Sequence, residues 1–123
     1  MNIATNFKIK KMSPQLVVAN IDHSLEFYLK KLGFDVAFRY EDFYAGIIKD
    51  GYSIHLKEGN FSIKERTSED PDIVFSVEDI EALYKELSNK FINLIQPLRD
   101  MPYGKEFYVA DPDGHIIAFI EEV

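Results

Sequence analysis

Residues 103–122 read YGKEFYVADPDGHIIAFIEE. Two apolar runs, 107–110 and 116–120, flank Asp111-Pro112-Asp113-Gly114. Pro112 presets φ within a turn, and Gly114 accepts positive φ after it. Strand, turn and strand in this order predict a β-hairpin. Taken alone the hairpin is structural and names no chemistry.

Working outward, the same kind of unit occurs twice. Before the hairpin, 73–77 predicts a strand. Ser76 opens a near capping box, and Ile80, Leu83, Tyr84 and Leu87 mark one face of a helix. Asn89 is placed to end that helix in a left-handed conformation. A strand over 91–96 and a loop over 97–102 then lead into the hairpin. The first half has the same order. A strand over 12–19, with Pro14 near its start, runs into a helix over 21–32. Ile21, Leu25, Tyr28, Leu29 and Leu32 form that helix's apolar face, Asn20 or Asp22 caps it, and Gly33 stops it. Strands follow over 34–41, 43–49 and 52–58, the last two joined by Asp50-Gly51. In 34–41, alternation puts Phe34, Val36, Phe38 and Tyr40 on one face. Tyr28 and Tyr84 hold matching places in their helices, a repeat of about 56 residues. The polar stretch 59–71 is the natural linker between module one (12–58) and module two (72–121), within one domain. Residues 1–11 form a loose arm or an extra edge strand.

Charge is uneven. Residues 1–60 carry 8 Lys/Arg and 7 Asp/Glu, whereas 61–123 carry 6 and 14, giving −7 over 123 residues. So acidic a chain argues against a nucleic-acid partner, which needs cations for its phosphates. It suits a cationic ligand, although acidity also serves solubility. There are no cysteines, so disulfides and thiolate metal sites are excluded. No apolar run reaches the ~18 residues a membrane helix needs, and residues 1–12 lack the apolar stretch of a signal peptide. A cytoplasmic protein with no membrane partner is expected.

Val18-x-Asn20…Ser24-x-x-Phe27-Tyr28…Leu32-Gly33-Phe34 early, and Gly104…Asp111-Pro112-Asp113-Gly114 late, resemble the vicinal oxygen chelate superfamily. That superfamily includes glyoxalase I, fosfomycin-resistance proteins, extradiol dioxygenases and bleomycin-resistance proteins. The resemblance spans about residues 12–121. It implies an α+β fold of two tandem βαβββ modules, forming a concave mixed sheet with helices on the outer face.

The resemblance also places four metal-ligand positions, at Ser13, His55, Asp72 and Ala118. Strand parity agrees for the first three, leaving apolar neighbours on the helix side. An alanine methyl cannot ligate and a neutral serine ligates poorly, so no resident metal or other cofactor is expected. Were an ion present, His55 and Asp72 would hold it. No catalytic residue is assigned.

Among these relatives the chain is most similar to the metal-free bleomycin-resistance-like members. That likeness implies a homodimer, its first strand exchangeable around Pro14, which sequesters an aromatic or cationic small molecule such as an antibiotic. The tryptophan that relatives often place in the groove is absent here. The implied ligand-binding residues are Gln15, Phe38, Arg39, His55, Asp72, Tyr103, Glu106 and Tyr108. Arg39 meets a ligand carboxylate or pairs with Glu41. His23 reads as surface and His115 as loop decoration. Two alternatives stay open. One is a metal-dependent lyase or dioxygenase using His55 and Asp72. The other is a structural or partner-binding domain whose pocket is filled.

Overall fold

A computed structural model describes residues 4–59 and 69–123. The elements are β1 (Gln15–Val18), α1 (Ile21–Glu26, continuing as a wider π turn over Phe27–Lys31), β2 (Asp35–Tyr40), β3 (Tyr44–Lys49) and β4 (Tyr52–Glu58). Then come β5 (Ile73–Ser76), α2 (Ile80–Ser88), β6 (Asn93–Met101), β7 (Gly104–Ala110) and β8 (Ile116–Glu122). They form two four-stranded sheets, ordered β1-β4-β3-β2 and β5-β8-β7-β6. In each, the first strand runs parallel to the fourth and the other pairs are antiparallel. The expected duplication and α+β class are therefore present, but each module keeps a sheet of its own. The linker expected over 59–71 lies largely outside the described residues.

Both sheets bury one face. Leu16, Val18, Ala45, Ile47, Ile54 and Leu56 of the first, and Ile73, Phe107, Val109, Ile117 and Phe119 of the second, join the apolar sides of α1 and α2 in one cluster. Burying each such Ile, Leu or Phe contributes about 1.5–3 kcal/mol. Among the described residues the opposite face of each sheet carries no helix, and it is termed its open face.

The hairpin turn does more than reverse the chain. The Asp111 carboxylate accepts from the amides of Asp113 and His115, both at 2.9 Å, which fixes the turn. Its second oxygen accepts the Tyr28 hydroxyl of α1 at 2.7 Å, and Asp113 accepts the Ala19 amide at 2.9 Å. His115 Nε2 lies 2.8 Å from the Val17 carbonyl, so it ties the modules together and is not decoration. These contacts clasp module two to module one.

Several local expectations are corrected. The first strand begins at Gln15, with Met12 87% exposed. Asn20 caps α1 and Gly33 ends it at φ +78°, as expected, yet Asn89 ends α2 in a right-handed conformation at φ −87°. No capping box forms at α2. The Glu121 carboxylate of β8 accepts from the amides of Asp79 (2.9 Å) and Ile80 (3.1 Å) instead. Glu58 of β4 caps Ile21 in the same way at 3.1 Å.

β6 runs straight through the segment expected as a loop. It is an edge strand, where a proline without an N–H is tolerated, and register shifts on either side of Gln96 absorb Pro97. β2 also carries a bulge. Val36 pairs with Ile47 while Phe38 pairs with Gly46, so Ala37 is an extra residue and parity reverses there. Val36 therefore stays on the helix side, and Phe38 and Tyr40 turn onto the open face.

Candidate functional site

The open face of the first sheet is an aromatic wall. Phe38 pairs with Gly46, and a Cβ at Gly46 would lie 2.2 Å from Phe38 Cε1. Only a bare backbone lets the ring lie against the strand. Tyr44 stacks on Phe38 with ring centroids 6.1 Å apart at 11°. His55 meets Phe38 edge-on at 5.2 Å, and Tyr40, 60% exposed, extends the wall at 5.6 Å. The Tyr44 hydroxyl lies 2.9 Å from His55 Nδ1 and accepts Gln15 Nε2 at 2.9 Å. Four strands thus fix one hydrogen-bonded aromatic group. Such a surface can stack a planar ligand and offer it polar edges.

The open face of the second sheet is organised around a buried carboxylate. Glu106 is 0% exposed. Its oxygens accept Arg99 Nε at 2.8 Å, the Tyr108 hydroxyl at 2.9 Å and the Tyr103 hydroxyl. Burial alone pushes the Glu106 carboxyl up. The donors from Tyr103, Arg99 and Tyr108 outweigh it and hold the group below its ordinary value. The hydrogen bond to Glu106, with burial, raises Tyr103 to about 12. Burial and then Glu106 raise Tyr108 as well. Arg99 also lies over the Tyr108 ring, 5.6 Å from its centroid, and donates to Gln96 Oε1 at 3.1 Å. Its side chain remains 40% exposed while paired with Glu106.

Gln15, Phe38 and His55 thus come together on one face, and Tyr103, Glu106 and Tyr108 on the other. Arg39 leaves the site. It pairs with Ala45 on the helix side and is engaged by Asp22 at 2.8 Å, Asp42 at 2.9 Å and the Glu41 carbonyl. Asp72 is exposed and its carboxylate accepts the Ile116 amide at 2.8 Å, fixing the start of β8.

Tyr44 and Arg99 were missed from sequence. Tyr44 could have been found by pairing β3 with β4, which puts it on the His55 face. Arg99 was hidden by reading Pro97 as the end of a strand.

The four ligand positions do not fit a metal ion. Ser13 is hydrogen-bonded to Ser53, and His55 Nδ1 to Tyr44. Asp72 holds a backbone amide, and Ala118 has no donor atom. Among the described residues no three His, Cys, Asp or Glu side chains are grouped to hold one.

The model of the Glyoxalase/Bleomycin resistance protein/Dioxygenase superfamily matches residues 9–119. A bleomycin resistance protein of Geobacillus stearothermophilus is 28% identical, over 89% of this chain and 95% of that protein. TioX from Micromonospora sp. ML1 superposes with a TM-score of 0.77 at 17% identity, covering 93% of this chain and 99% of that one. The bleomycin-binding protein of Streptomyces verticillus, solved with copper(II)-bleomycin, superposes at 0.74 with 21% identity, covering 96% and 100%. The two structures show a shared fold.

Proposed function

Since the chain belongs to the glyoxalase/bleomycin resistance protein/dioxygenase superfamily, we propose that it is a bleomycin-resistance-like binding protein that sequesters a bulky aromatic or cationic small molecule without transforming it. The observation that carries this reading is the wall of Phe38, Tyr44 and His55 laid over Gly46. It supplies stacking area and hydrogen bonds but no free nucleophile and no metal donor set. The formal charge of −7 favours a cationic guest. The 28% identical bleomycin resistance protein supports an antibiotic as the ligand class. The lyase or dioxygenase alternative finds no support at Ser13 and Ala118.

The reading includes a homodimer acting in the cytoplasm, with a partner's sheet closing each open face. Phe7, Ile9 and Met12 support an arm exchanged around Pro14, being 72%, 70% and 87% exposed in the single chain. Sedimentation of purified protein is expected to give twice the chain mass, and a monomer at micromolar concentration would remove this part.

A thermal-shift panel tests the ligand class, because a molecule that binds only the native state raises Tm. Aromatic cationic antibiotics, bleomycin among them, are expected to raise it. Glutathione hemithioacetals and catechols with added divalent metal are expected to leave it unchanged. The opposite pattern would favour an enzyme.

A further inference from the structure

A cavity of about 330 Å³ lies on neither open face. It opens where the two modules meet on their helix sides. That volume is within the range of small-molecule sites. Its floor is Phe34, Phe75 and Phe119, with ring centroids 6.1 Å (Phe34–Phe75) and 5.8 Å (Phe75–Phe119) apart, flanked by Leu83 and Leu87 of α2.

The rim is cationic in a chain that is strongly acidic. Lys31, Lys49 and Lys90 border the cleft, against Asp50 and Glu86. Two of the lysines hold the mouth together. Lys31 donates to the Phe91 carbonyl, Lys90 donates to the Lys31 carbonyl at 3.1 Å, and Glu86 lies 3.7 Å from Lys90. This reciprocal brace fixes the ends of both helices and keeps the gap at a set width. Lys49 is different. Its Nζ would lie 3.5 Å from a Cβ at Gly33, at the cleft margin, and among the described residues it makes no ion pair. An ammonium with no ion pair among the described residues, on the border of a cleft floored by three phenyl rings, can receive an anion whose body the rings cover.

We propose that this cleft is a second binding site, for a small amphipathic anion with one carboxylate and an apolar body. The body packs on Phe34, Phe75 and Phe119, and the carboxylate accepts from Lys49. The site is independent of the open faces, whose expected guest carries the opposite charge.

Three amphiphiles of equal chain length test it: decanoate, decanol and decyltrimethylammonium, each titrated below its micellar concentration. Binding is followed by calorimetry and by methyl NMR shifts of Val77, Leu83 and Leu87. Decanoate is expected to bind at one per chain and to shift those methyls, at least about tenfold more tightly than the alcohol or the cation. Lys49→Gln should remove most of that preference, Leu83→Trp should fill the cleft and abolish binding, and Phe38→Ala should change neither. The methyl shifts need no variant, so a misfolded Leu83→Trp leaves the test intact. Absence of decanoate binding, shifts confined to other residues, tighter binding of the cation, or indifference to Lys49→Gln would each overturn the proposal. None of these outcomes bears on ligand capture at Phe38.

Discussion

At the scale of single residues, Gly46 and Glu106 decide what each open face can do. The hydrogen on Gly46 leaves room that Phe38 occupies. Gly46→Ala should displace the ring at a cost of about 1–3 kcal/mol. Denaturant unfolding should show the loss, and the variant should also lose affinity for a stacked ligand. Glu106 makes a pH prediction. Its folded pKa lies below the ordinary carboxylate value, so its hydrogen bonds stabilise the fold at and above the ordinary range. That contribution is lost as pH falls through the depressed value. Unfolding free energies of the protein and of Glu106→Gln, compared from neutral to acid pH, should differ most at neutrality and converge in acid. A constant gap would mean that ionisation is irrelevant.

At the scale of elements, each helix is started by a glutamate on a neighbouring strand's end. Glu58 serves α1 and Glu121 serves α2. Replacing Glu121 by alanine leaves the Asp79 and Ile80 amides without their acceptor. It should cost about 1 kcal/mol, with faster amide exchange confined to the start of α2. Sequence periodicity revealed these helices because Ile21, Leu25 and Tyr28, and Ile80, Leu83 and Leu87, repeat at helical spacing. Asn20 was legible as a cap, but the two glutamate caps were not, since a residue 42 positions away supplies one of them. The bulges were equally silent. Nothing in Val36-Ala37-Phe38 announces that parity reverses, yet that reversal carries Phe38 onto the site and Arg39 off it. Pro97 misled for a related reason: whether a proline ends a strand depends on its being at an edge, which is a tertiary fact.

At the scale of the whole molecule, the two modules are joined by the turn over Asp111-Pro112-Asp113-Gly114. Tyr28 donates to Asp111 inside the core, and burial together with that carboxylate pushes the hydroxyl well above its ordinary value, so it remains a neutral donor. Tyr28→Phe removes the donor and leaves a buried carboxylate short of one partner. About 1–3 kcal/mol of stability should be lost, with unfolding remaining a single transition because one core spans both modules. Two separated transitions would show that the modules fold independently. The duplication and the fold were legible because local turns and periodicities repeat in order. The site was legible only in part, as its two faces depend on register between strands distant in sequence.

On the proposed function, the aromatic wall captures a guest and releases it chemically unchanged. Calorimetric titration of bleomycin and other aromatic cationic antibiotics, into the protein and into Phe38→Ala, tests it most directly, with the bound compound recovered and analysed afterwards. Saturable binding of at least one of them is expected, weakened at least about tenfold by Phe38→Ala, with an intact compound on recovery. Binding that ignores Phe38→Ala, no binding by any of them, or a chemically altered product would contradict it.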